Sequence, residues 1–164
     1  MSFWSLVARR DCRRKLSAFS LLLVAVLFAG ACGGDPREYP DSGSTSLEEL
    51  LRHFELELPP CDVADLRYAD TGGPRSTGLY LTYTFPADCI DEFLASARVD
   101  SSAKRPLLGK NVPFSPQLVQ DYDWPIDPDK TYDRYGKSAQ AWSVFIVLDS
   151  SSPRHTAFIE GLGD

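Results

Sequence analysis

The stretch Leu79 to Phe85, LYLTYTF, constrains the fold of this chain more than any other. Leu79, Leu81, Tyr83 and Phe85 alternate with Tyr80, Thr82 and Thr84. A period of two places the first set on one side of an extended strand and the second on the other. Such a strand buries its apolar side only within a sheet packed against another layer. A partner precedes it: in Val63 to Ala69, the residues Ala64, Leu66 and Tyr68 alternate with Asp65 and Arg67. The turn-rich DTGGPRSTG between the two runs predicts a hairpin. Trp142 to Leu148 is almost wholly apolar, as in a central strand buried on both faces. After a turn at Asp149 to His155, Thr156 to Leu162 reads as a shorter last strand.

Two segments change period from two to the helical spacing. Ser46 and Glu49 form a capping box ahead of a stripe of Leu47, Leu50, Leu51 and Phe54, and Pro59-Pro60 ends the segment beyond it. Pro86 closes the second strand. Asp88 is placed to cap a second helix, with Asp91 and Glu92 in its first turn, where the helix dipole favours acids. Its stripe is Ile90, Phe93, Leu94 and Ala97. The expected architecture is α+β: a mainly antiparallel sheet of about four strands, with the helix from Asp88 to Arg98 covering one face. Residues 101–141 are proline-rich and read as one long irregular segment, the kind of loop that is often functional. No internal repeat is evident.

The N-terminal fifth has a different character. Arg9, Arg10, Arg13, Arg14 and Lys15, opposed only by Asp11, precede an apolar run from Ala18 to Ala31 broken by Ser20 and Gly30. Basic start, short apolar core and small residues are the parts of an export signal. The run falls short of the roughly 20 apolar residues that span a bilayer. Ala29-Gly30-Ala31 then leads directly into Cys32-Gly33-Gly34. A cysteine placed after small residues at the end of such a run resembles the lipobox of bacterial lipoproteins, with Ala29 standing where that family favours leucine. The resemblance implies removal of residues 1–31 and attachment of a diacylglyceryl group, palmitate among its acyl chains, to Cys32. One acyl chain binds a membrane marginally, whereas two hold stably. The plainer alternative is a secreted protein with a free thiol at its new N-terminus. Arg13-Arg14 also hints at twin-arginine export, but no second apolar residue comes directly after Leu16. Further along, LPPCDVADLRYAD and LYLTYTFPADCIDEFLASA resemble segments of small actinobacterial lipoproteins of unknown activity. That resemblance implies a family neighbourhood and no mechanism.

The chain thus divides into three regions: a signal peptide at 1–31, a lipidated N-terminus and flexible tether at 32–45, and a single domain at 46–164. Of the four cysteines, Cys12 lies in the removed segment and Cys32 is the anchor. Cys61 and Cys89 remain, with one pairing open to them, in a compartment where disulfides persist. The hairpin brings both to one end, which favours a bond over two buried free thiols. The whole chain carries a formal charge of −6. Without the basic leader it becomes more acidic still, which argues against nucleic acid as a partner and against electrostatic adhesion to anionic lipid. The expected partners are therefore the membrane, through the anchor on Cys32, and an envelope protein or polysaccharide. The expected location is the extracytoplasmic side of the cell membrane.

Signs of catalysis are sparse. G-x-S-x-G, H-E-x-x-H and a phosphate-cradling glycine loop are all missing from the sequence, and nothing calls for a cofactor. His53 sits beside the first helical stripe and reads as structural; His155 comes after SSSPR and reads as a solvated turn residue. The best candidate is DYDWPIDPDKTYDRY. Asp121, Asp123, Asp127, Asp129 and Asp133 are the oxygen donors a hard cation needs, though without EF-hand spacing, and they alternatively serve as solvated turn formers. The interleaved Tyr122, Trp124, Tyr132 and Tyr135 offer a carbohydrate- or peptide-binding ledge, or else pack the segment onto the sheet. A non-catalytic binding or envelope-interaction module is thus the primary expectation. A cation-assisted hydrolase using residues 121–133 is the competing one.

Overall fold

In the computed structural model, the described residues are 35–73 and 75–164. The expected signal peptide and Cys32 lie outside them. Residues 37–164 form one compact unit. Its centre is a six-stranded antiparallel sheet in the order β1-β2-β6-β5-β4-β3. The strands are β1 (Ala64–Asp70), β2 (Thr77–Pro86), β3 (Arg105–Leu108), β4 (Thr131–Ser138), β5 (Trp142–Asp149) and β6 (Arg154–Gly163). The helices are α1 (Leu47–His53), α2 (Ile90–Ser96) and α3 (Pro116–Asp121). None among the described residues is long and apolar enough to cross a membrane.

The alternation in β2 explains the first layer. Leu79, Leu81, Tyr83 and Phe85 join Ala157 and Ile159 of β6, Val144, Ile146 and Leu148 of β5, and Tyr135 of β4 in one buried cluster. The helices close over it with Leu47, Leu50 and Leu51 of α1, Phe54 at its end, and Phe93 and Leu94 of α2. As the spacing predicts, Ser46 caps α1, its side chain accepting from the Glu49 amide. A Cβ at Gly161 would lie 2.9 Å from the Phe54 ring, so glycine is what lets α1 close onto β6. Cys61 and Cys89 are joined in a disulfide with Cα atoms 6.5 Å apart.

The other face of the sheet is also covered, which the expected four-strand sheet with one covered face does not include. Val147 and Phe158, which alternation aims away from the helices α1 and α2, pack with Tyr132 of β4 beneath Phe114, Leu118 and Trp124. Residues 101–141 therefore hold β3, α3 and β4 rather than one irregular loop. Tyr132 and Tyr135, the buried residues of β4, are three apart and go to opposite faces. That spacing breaks the period-two signal. The edge strand β3 has only four residues and includes Pro106.

Four smaller differences follow. The last strand is not short: β6 spans ten residues and pairs along its length with β2 on one side and β5 on the other. His155 accordingly lies inside that strand, 9% exposed, edge-on to Phe85 at 5.7 Å, and is not a solvated turn residue. Asp88 does not cap a helix, because a 3-10 turn at Ala87–Cys89 intervenes and α2 starts at Ile90 without a side-chain cap. Part of the expected tether is bound. The Tyr68 amide donates to the Arg37 carbonyl and the Tyr39 amide to the Tyr68 carbonyl, at 2.9 and 2.7 Å, while Gly43 donates to Asp70. Those bonds are made by backbone, so the Gly- and Pro-rich side chains of this stretch do not announce them.

Candidate functional site

The bound stretch 37–39 positions a cluster of half-buried tyrosines. Lying along the β1 edge, it sets the Tyr39 ring 4.6 Å from that of Tyr122, at the end of α3. Tyr122 in turn lies 5.3 Å from Tyr80, on the second face of β2. Trp124 is the floor: it is 4% exposed and meets Tyr80 at 6.2 Å, Phe114 at 4.9 Å and Phe158 at 5.4 Å. Arg67 closes one side, its guanidinium carbon 4.6 Å from the Tyr39 ring centroid and its Nη2 donating to the Glu38 carbonyl at 3.3 Å.

The ledge also carries polar groups. The Tyr80 hydroxyl lies close to the carboxylate of Glu160, its register partner on β6, and to Thr71. Burial, reinforced by the Glu160 charge, pushes the Tyr80 hydroxyl up to about 12. Burial likewise raises Tyr39 and Tyr122 above the ordinary phenol range. All three hydroxyls thus keep their protons at neutral pH and can both donate and accept. Burial also raises Glu160, which is only 7% exposed; the Tyr80 hydroxyl opposes this in part. Two buried donors beside Tyr39, the Trp124 Nε1 and the Arg67 Nε, have no hydrogen-bond partner among the described residues. The indole N–H of Trp124 faces the Tyr39 oxygen closely enough to favour its charged form, without hydrogen-bonding geometry. Rigid rings with polar tips, above donors that lack acceptors, suit a ligand carrying both apolar faces and oxygen acceptors.

Of the four aromatics read from the sequence, only Tyr122 stands at this surface. Trp124 and Tyr132 are buried on the second face and Tyr135 on the first, at 4%, 1% and 4% exposure, so these three pack the core rather than form a ledge. Three of the five aspartates have carboxylates engaged locally. Asp121 accepts from Gln117 at 2.7 Å, and Asp127 accepts from the Asp129 amide at 2.9 Å. Asp133 pairs with Lys104 at 2.7 Å, and Asp123 occupies a left-handed position after α3. Among the described residues, no group of three or more His, Cys, Asp and Glu side chains could hold a metal ion. His53 lies edge-on to Phe54 at 4.8 Å.

The sequence does not single out Tyr39 and Tyr80. Tyr39 stands in a stretch without apolar period. Tyr80 sits on the polar side of β2, and one aromatic among threonines is the available signal that this side is covered. Glu160, a carboxylate inside the apolar run FIEGL, is another. No family model, curated protein or solved structure matches this chain.

Proposed function

We propose that this protein is an extracytoplasmic lipoprotein, exported, cut before Cys32 and held to the membrane by a diacylglyceryl group. In this reading its domain binds an envelope polysaccharide or protein without chemically altering it. The signal-like run and the lipobox resemblance support the anchor, and a disulfide between Cys61 and Cys89 fits an oxidising compartment. Tyr39 stands seven residues after Cys32. At roughly 3.5 Å per residue, the ledge would stand within about 25 Å of the lipid, where envelope polymers approach it.

The observation that carries the binding role is the half-buried set Tyr39, Tyr80 and Tyr122 fixed above Trp124. Aromatic anchors of this kind contribute most of the affinity at recognition surfaces. The test is titration with solubilised cell-wall polysaccharide and, separately, envelope protein, read through tryptophan fluorescence. Tyr122→Ala should weaken binding roughly tenfold or more with little change in stability. Equal binding by the variant, or none by the parent chain, would overturn the proposal.

A further inference from the structure

The second face of the sheet has a differently charged region toward the β3 edge. Arg105 of β3 and Arg134 of β4 are directly paired across the ladder, so both guanidinium groups rise from the same face. Like charges in that relation are destabilising unless something lies between them. The chain has 23 acidic and 17 basic residues, yet neither arginine has a carboxylate partner among the described residues. The nearby acids Asp133 and Asp149 are engaged elsewhere, by Lys104 and Lys130.

Both guanidinium groups are held in place. Arg105 donates from Nη1 to the Ser102 and Lys104 carbonyls at 3.2 and 2.8 Å. Arg134 lies over the Phe145 ring, 5.6 Å from its centroid. They border a groove of about 410 Å³ that is also lined by Gly136, Ser138, Ser143 and Phe145. Ser138 and Ser143 are register partners on the same face, and Gly136 is exposed between Arg134 and Ser138. A Cβ on Gly136 would meet only the Val144 carbonyl at 3.3 Å and the Phe145 ring at 3.9 Å, leaving open space above it.

We propose that this groove is an anion site for a phosphate group, with Arg105 and Arg134 holding its oxygens and the Ser138 and Ser143 hydroxyls completing the shell. Two planar guanidinium forks and two hydroxyls supply more donors than the two oxygens of a carboxylate can use; the additional oxygens of a phosphate match them. The site lies toward the β3 edge, whereas the tyrosine ledge lies at β1 and β2, and it does not depend on the ledge. The phosphate belongs either to a soluble phosphorylated compound or to a lipid headgroup.

The test tracks the Gly136 and Ser143 amide resonances of the full chain in maltoside micelles, which contain no phosphate. One arm titrates inorganic phosphate; the other adds phosphatidylglycerol. A saturable shift with inorganic phosphate, weakened roughly tenfold or more in Arg134→Gln and Arg105→Gln, supports a soluble source. A shift with phosphatidylglycerol alone, lost in the same variants, supports a headgroup. Both variants alter exposed side chains, and Gly136→Val offers a third that fills the groove without touching its charge. Silence in both arms would overturn the site, as would an equal response to chloride or one that survives loss of both arginines.

Discussion

At the scale of single residues, Glu55, Arg98 and Asp123 each hold a positive φ, at 50°, 54° and 49°. Each stands just past a helix, and each helix closes in the same way. The closing amide reaches back across the last turn to a carbonyl five residues earlier: Leu56 to Leu51, Val99 to Leu94 and Trp124 to Val119. This is the Schellman closure, where glycine is the usual choice. A side chain there costs about 1 kcal/mol or more, somewhat less for Asp. Asp123→Gly should therefore stabilise the fold by up to about 1 kcal/mol in urea denaturation, and Asp123→Val should destabilise it. Two buried titratable residues give opposite pH dependences. Burial lowers the His155 imidazole, against the pull of Asp149 and Asp133 and with a contribution from Lys104. The unfolded chain then takes up that proton more readily, so stability is present above about pH 6.5 and is lost as pH falls through the folded value. His155→Leu should flatten the stability profile just below about pH 6.5. Burial raises Glu160, so its contribution is full at acid pH and is lost as pH rises through the folded value. Glu160→Gln should accordingly stabilise the protein at about pH 7 and not at about pH 4.

At the scale of elements, legibility tracks amphipathic periodicity. The alternation in β2, the apolar β5 and the capped stripe of α1 are all readable because each buries a regular set of residues. The strand β4 is not readable, because Tyr132 and Tyr135 serve two different cores through the two faces of one strand. The helix α3 carries local signals in Ser115, which caps it, and Pro116 in its first turn, but six residues are too few for an apolar stripe. Nor can the ledge be read whole, since Tyr39, Tyr80 and Tyr122 come from three separate parts of the chain. The disulfide ties the start of the β1–β2 hairpin to the entry of α2, across a sequence separation of 28. Closing a loop of that size contributes about 3.5 kcal/mol in the chain-entropy model. Reduction should lower denaturation stability by a comparable amount, and Cys61→Ser should be insensitive to reductant. At the contact between α1 and β6, Gly161→Ala should cost about 1–3 kcal/mol by crowding Phe54.

At the scale of the whole molecule, the order of the sheet joins distant parts of the chain. The strands β3 to β6 form a run of neighbours, and β6 then enters beside β2 through ten residue pairs. The hairpin, the meander and the bound stretch 37–45 therefore meet in one domain whose second face carries the tyrosine ledge. In the proposed reading, the acidic balance of the chain assigns attachment to a lipid on Cys32 rather than to surface charge. Cys32→Ser should move the protein from the membrane fraction to the medium, with the domain's stability unchanged. The most direct measurement is the intact mass and N-terminal sequence of the protein recovered from membranes. A chain that begins at Cys32 and carries the added mass of a diacylglyceryl group is the predicted result. A chain that retains Met1, dissolved in the cytosol with Cys61 and Cys89 reduced, would contradict it.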